Sequence, residues 1–242
     1  MLELSHIAWN SPDGEEIIKE MDLTVSKGKL VVVTGPNGGG KTTLAKLIAG
    51  IETPAKGTIL FNGEDITKYS ITQRAKKGIA YAFQQPVRFK GLTVRNLLEM
   101  ASGATLDEEG LCSLLGKVGL CANEYIDREL SAGLSGGEMK RIEIASVVAR
   151  RAPLSIFDEP EAGIDLWSFS RLVETFEELR RQNSGTLLVI SHQERILSIA
   201  DEIVVVAQGR VRDSGPREEI LPTLLSDERK PRCPLGKEEA RI

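Results

Sequence analysis

Nine residues, GPNGGGKTT at positions 35 to 43, set three consecutive glycines before a lysine and two threonines. Glycine backbone can turn its N–H groups inward around an oxyanion, and a helix opening at Lys41 aims the positive end of its dipole at the same point. The spacing is that of a phosphate loop, G-x-x-x-x-G-K-[ST]. Gly35, Asn37, Gly38, Gly39 and Gly40 would shape the cradle, and Lys41 would neutralise the β- and γ-phosphates of a nucleoside triphosphate. Thr42 offers a hydroxyl to Mg²⁺, and Thr43 can reach the α-phosphate. A second constellation is LSIFDEP, residues 154 to 160, where Asp158 and Glu159 close an apolar run. Asp158 suits the Mg²⁺ shell, whereas Glu159, next on a chain that alternates sides, can orient an attacking water or accept its proton. A third is LSGGE, residues 134 to 138, in which Ser135, Gly136, Gly137 and Glu138 precede a helical pattern and form another anion site.

These residues need a scaffold that brings them to one edge. LVVVTG before the glycines is a continuous apolar run suited to a strand buried on both faces, and TTLAKLIAG after them has helical spacing. Downstream, a helix is expected from about 136 to 151, then the strand LSIFDE, a helix from about 166 to 182, and the strands TLLVIS and EIVVVA. Strands separated by helices of that length imply a parallel sheet with helices on its faces, and such sheets bind ligands at the strands' carboxyl ends. The runs LELSHIAW, IIKEMDLTV and KGTILFNG alternate and are divided by turn residues, so they predict an antiparallel sheet. Residues about 86 to 133 carry helical repeats without a strand signal, and predict a helical subdomain inserted in the nucleotide-binding core. The expected organisation is one domain over 1–225 and a charged, proline-broken tail over 226–242.

Composition narrows the classes. Over 242 residues, 31 Lys and Arg stand against 35 Asp and Glu, a net charge of -4, with no basic stripe; a nucleic-acid partner is not expected. No apolar run approaches the roughly 18 residues of a membrane span, and the N-terminus is not a leader, which predicts a cytoplasmic protein. Cys112, Cys121 and Cys233 form no CxxC pair and fit a reducing compartment.

The motifs occur in an order that resembles the ATP-binding cassette (ABC) ATPases: GPNGGGKTT, FQQP with Gln84, LSGGE, FDEP, AGID with Asp165, and His192 after TLLVIS. The resemblance spans Leu2 to about Leu221 and implies an α/β P-loop NTPase fold that hydrolyses ATP with Mg²⁺. It implies that Gln84 contacts Mg²⁺ or the lytic water, that His192 donates to the γ-phosphate or holds that water, and that Asp165 works across a dimer interface. It further implies head-to-tail pairing with a second copy or a second cassette, the LSGGE of one chain capping the ATP of the other. An aromatic on adenine is common in the family; Ser11 aligns there, and Trp9, two residues earlier on the same strand face, either stacks on the base or is simply core.

The load is a separate question, because a cassette is an engine. YAFQQPV, SGGEMKRIEI, AGIDLWS without a proline after Asp165, and SHQERIL with Gln193 after the histidine resemble the SufC proteins of iron-sulfur cluster assembly. Pro160 is the transporter-like choice. The sequence thus favours assembly with a SufB/SufD-like scaffold; the alternative is the ATP-binding subunit of an ABC membrane transporter, peripheral to the membrane and docked on its membrane subunits. Cys233 alone cannot hold a cluster that usually takes four thiolates.

Overall fold

A computed structural model of the chain describes residues 1–131, 133–182 and 185–228. Cys233 and the tail beyond 228 lie outside the described residues.

The described residues form two sheets. Strands β1 (Leu2–Asn10), β2 (Glu16–Val25), β4 (Lys56–Phe61) and β5 (Glu64–Asp65) make an antiparallel sheet in the order β2-β1-β4-β5. Strands β3 (Leu30–Thr34), β6 (Ile79–Ala82), β7 (Leu154–Asp158), β8 (Thr186–Ile190), β9 (Glu202–Ala207) and β10 (Arg210–Pro216) make the second, in the order β10-β9-β3-β8-β7-β6. Five of these run parallel and only the edge strand β10 is antiparallel, so this sheet is mixed. An antiparallel β-subdomain thus lies beside a mixed-sheet core, the α/β arrangement expected from the sequence.

Each face of the large sheet has its own core. Alternation sends Val31 and Val33 of β3, Ile156 of β7 and Leu188 and Ile190 of β8 toward helix α1 (Lys41–Ala49) and the small sheet. Leu30, Val32, Phe157, Leu187 and Val189 point the other way, into the helices. There lie α3 (Val94–Ser102), α4 (Glu108–Lys117), α5 (Ala122–Tyr125), α6 (Gly136–Ala149) and α7 (Leu166–Arg181). The Phe157 and Phe176 rings meet at 4.9 Å in this second core. Leu98, Leu111, Leu115 and Leu130 belong to the same apolar cluster, with α3 and α4 packed on α6 and α4 also on α7.

Several elements carry no clear sequence signal. IAYA of β6 is four residues long, and β10 is largely exposed and charged. Helix α2 (Ile71–Lys76) is a short capped turn, α8 (Glu194–Leu197) is a single turn, and α9 (Arg217–Glu228) continues through Pro222 and three residues into the expected tail.

One buried cation ties the small sheet's connection to α1. Arg74 of α2 is only 1% exposed, and its guanidinium donates to the carbonyls of Leu47 (2.6 Å) and Ile48 (3.0 Å) at the end of α1, and to those of Thr67 and Tyr69. Burial pulls its pKa down to about 10, so the cation is retained at neutral pH. The last carbonyls of a helix have no intrahelical partner, and this fork supplies one. Arg74→Met, which keeps apolar bulk and removes four donations, is expected to cost roughly 2–4 kcal/mol in urea unfolding; an unchanged midpoint would contradict this account.

Candidate functional site

The parallel registers bring the chemistry to one edge. Val33 lies opposite Ile190, and Asp158 lies opposite Ile190 from the other side, so β3, β8 and β7 end together. β3 stops at Thr34, and the chain turns through Gly35–Gly40 into α1. Gly35 has φ +129°, and a Cβ there would stand 2.1 Å from the Val206 carbonyl oxygen of β9. The loop therefore lies flush against β9, an approach that only glycine permits. Gly40 caps α1 in the left-handed region, leaving the first-turn N–H groups free to face the cleft.

The cleft has a volume of about 430 Å³ and is lined by Ile17, Asn37, the three glycines, Lys41, Thr42 and Thr43, with Gln84 and Glu159 opposite. Lys41 Nζ donates to the carbonyls of Gly35 (2.7 Å) and Pro36 (2.9 Å), which bends it back over the loop. Burial lowers its pKa, and the nearby Glu159 and Asp158 oppose that shift. Thr42 Oγ1 donates to Asp158 Oδ1 at 3.1 Å, so hydroxyl and carboxylate form one oxygen pair at the loop's base. The other oxygen, Oδ2, accepts from the Tyr81 hydroxyl at 2.8 Å. Asp158 has no exposed surface; burial raises its pKa, while the Tyr81 and Thr42 hydrogen bonds act to lower it. Glu159 takes φ 45°, unusual for a residue that carries a Cβ, with its N–H donating to the Ile190 carbonyl at 3.0 Å. That turn at the strand end directs its carboxylate into the cleft, where Oε2 accepts from Gln84 Nε2 at 2.7 Å. Gln84 follows β6, which pairs with β7 and so delivers it to the same edge.

Other expected site residues lie apart from this cleft. His192 is exposed, two positions past the end of β8, and is not among the cleft-lining residues. Before it, buried Ser191 donates to Glu161 Oε1 at 2.6 Å. Ser135 caps α6 in a reciprocal box: its Oγ accepts from the Glu138 N–H, and Glu138 Oε2 accepts from the Ser135 N–H at 2.7 Å. Tyr125 also donates to Glu138, and these hydrogen bonds hold that carboxyl at about 2. Gly136 and Gly137 form the first turn, and a Cβ on Gly137 would be 2.7 Å from the Gly163 carbonyl oxygen. Asp165 caps α7, accepting from the N–H groups of Trp167 and Ser168 and from the Ser168 hydroxyl. Next to it, Leu166 and Trp167 are exposed, Trp167 by 85%.

Trp9 is not among the residues that line the cleft. It is half-buried and packs on the core of the small sheet, and Ile17 lines the cleft instead. The same-face argument for Trp9 and Ser11 assumes an unbroken strand, whereas the β1–β2 register shifts between Ile7 and Trp9 and again between Trp9 and Asn10.

Tyr81, Lys140, Glu143 and Glu161 stand behind the cleft and were not read as site residues from sequence, Lys140 and Glu143 entering there only through the SufC-like stretch. Burial raises the Glu143 carboxyl to about 7. Glu143 Oε2 and Glu161 Oε2 are buried without a hydrogen-bond partner among the described residues. The available signal was helical spacing: Lys140, Ile144 and Val147 recur at i, i+4 and i+7 on the buried face of α6.

A glycine loop between a parallel strand and a helix, faced by a strand-end carboxylate pair, defines a P-loop nucleotide-binding domain. The family model described as ABC transporter matches residues 18–162. An ABC transporter ATP-binding protein of Methanocaldococcus jannaschii is 39% identical over 213 residues, covering 85% of each chain. A probable ATP-dependent transporter of Cyanophora paradoxa is 32% identical over 224 residues, 85% of each chain. The lipopolysaccharide export ATP-binding protein LptB of Haemophilus influenzae is 31% identical over 229 residues, 92% of each. Among solved structures, a dimeric bacterial ABC transporter cassette superposes with TM-score 0.81 at 20% identity, covering 90% of this chain and 99% of that one. The chain belongs to the ABC transporter family and is an ATP-binding cassette ATPase.

Gly35→Ala tests the close approach of the loop to β9. Its methyl would collide with backbone that cannot rotate away, so ATP affinity is expected to fall by roughly tenfold or more, as read by equilibrium binding of a fluorescent ATP analogue. Retained affinity would mean that the loop and β9 separate readily.

Proposed function

We propose that this chain binds MgATP in the cleft between Gly35–Thr43 and Glu159, and that nucleotide-driven pairing of two cassettes powers a partner complex. The observation that carries the reading is the juxtaposition of two contacts, Thr42 with Asp158 and Gln84 with Glu159, facing the same glycine loop. The glycine loop and Lys41 hold the phosphates, with Thr43 at the α-phosphate. Mg²⁺ fits the oxygen pair of Thr42 and Asp158, with Gln84 nearby, because it needs few protein ligands and retains waters. When bound, it neutralises charge on the β- and γ-phosphates. Glu159 then orients the attacking water and takes its proton, and His192, one residue beyond buried Ser191, steadies the γ-phosphate or that water.

Ser135, Gly136, Gly137 and Glu138 do not line the cleft of their own chain, which supports their acting on ATP held by a second cassette. In that head-to-tail arrangement Asp165, at the start of α7, would face the interface. ATP binding closes the pair and hydrolysis reopens it.

For the load, the relatives named above carry transporter descriptions, and none of them is described as an assembly ATPase. This reverses the order suggested by the local stretches: membrane transporter subunits become the first reading of the partner. The SufC-like role remains the second, supported by AGIDLWS, SHQERIL and the Lys140–Glu143 stretch. No helix among the described residues is long and apolar enough to cross a membrane.

Glu159→Gln should bind ATP but turn over at least about a hundredfold more slowly and accumulate as an ATP-bound dimer in size-exclusion chromatography. Lys41→Ala should instead lose affinity; normal turnover in Glu159→Gln would defeat the assignment of that residue. For the load, the native complex should be purified from membranes and from soluble extract. A polytopic membrane protein at stoichiometric level is the expected partner. A soluble scaffold carrying iron and sulfide would establish the assembly role in its place.

A further inference from the structure

Two ionisable side chains of α6 turn inward behind the cleft. Lys140 is only 1% exposed, and its Nζ donates to the carbonyl of Phe83, to that of Gln84 at 3.2 Å and to that of Asp158 at 3.3 Å. One turn along the helix, Glu143 Oε1 accepts from the Phe83 N–H at 3.0 Å. Both backbone groups of Phe83 are thus held by one helix, immediately before the residue whose side chain touches Glu159. The same ammonium reaches the backbone of the buried carboxylate at the end of β7.

Packing alone does not call for this chemistry. An apolar side chain would fill the space beneath α6 without the desolvation penalty of a buried charge. A lysine adds three directed donors, and a glutamate adds an acceptor one turn away. α6 is also the helix that opens with LSGGE, and its first turn lies against the Gly163 carbonyl. The pair therefore joins the segment proposed to meet a second cassette to the two residues proposed to handle Mg²⁺ and water.

We propose that Lys140 and Glu143 are positioning residues that clamp the Phe83–Gln84 backbone and the Asp158 carbonyl to α6, so that a displacement of the LSGGE end of α6 is transmitted to the Gln84–Glu159 contact. The inference rests on the roles given above to Gln84 and Glu159.

The test compares Lys140→Met, Glu143→Leu, Glu143→Gln and Gln84→Ala in the full chain, measuring turnover, ATP dissociation constant and hydrogen exchange of the Phe83 amide. Lys140→Met and Glu143→Leu are expected to lower kcat about tenfold or more while ATP affinity moves by less than about twofold. Adding Lys140→Met to Gln84→Ala should cause little further loss, since both act through one contact; additive losses would indicate a general structural defect and overturn the clamp. Glu143→Gln keeps an acceptor for the Phe83 N–H and should retain most turnover. The Phe83 amide should exchange faster in Glu143→Leu, a readout independent of catalysis, and unchanged exchange there would overturn the geometric basis.

If Gln84→Ala is slow while Lys140→Met and Glu143→Leu turn over normally, the clamp is wrong and the roles of Gln84 and Glu159 stand. If Gln84→Ala itself turns over normally, the assignment of Gln84 fails and the catalytic part of the clamp falls with it. Should Lys140→Met not fold, Lys140→Gln, which retains polar donation at shorter reach, should show the same split between kcat and affinity; a normal kcat in that variant would count against the clamp.

Discussion

Asp158 is the point on which the site turns. It is a carboxylate without exposed surface, and such a group is tolerated only when its oxygens are met. Thr42 from α1 meets one, Tyr81 from β6 meets the other, and Lys140 from α6 reaches its carbonyl. Three elements from both sides of the large sheet therefore converge on one residue at the end of β7. Displacing any of them would leave a buried polar atom unpaired, so the convergence also fixes where the glycine loop, the Gln84 segment and α6 stand relative to one another.

The parallel sheet makes this possible with little local specification. Because β3, β8 and β7 are in register at their carboxyl ends, the loops that leave them start side by side. The cleft is then shaped by what those loops contain: glycines where β9 crowds the chain, and a left-handed turn at Glu159 that tips a carboxylate inward. Among the described residues, Glu143 and Glu161 each retain a buried, unpartnered oxygen beside this cleft. Local polar frustration of this kind is common where a protein keeps a site ready for chemistry instead of minimising its folded energy.

Much of this was legible in the sequence. LVVVTG, the glycine loop and the strand before Asp158 announce themselves because they combine a continuous apolar run with residues that have few other uses. The inward face of α6 was harder to see: MKRIE reads as a solvated charge cluster unless Lys140 is placed in helical register with Ile144 and Val147. Trp9 shows a different limit. Alternation in β1 is interrupted by register shifts, and a two-residue count cannot detect a bulge that depends on pairing with β2. Tyr81 sits in a strand of four residues, too short to show a period, and its partner is 77 positions away. Contacts of that range are made by topology, to which local pattern is blind.

The two tryptophans end up in contrasting surroundings. Trp9 rests on the core of the small sheet, whereas Trp167 stands almost wholly in solvent at the first turn of α7, beside the capping Asp165. An indole in water emits at longer wavelength and is quenched more readily than one in an apolar setting. The chain therefore carries its own optical gauge: emission from Trp167 answers to whatever comes to lie against that turn, and Trp9 supplies an internal reference.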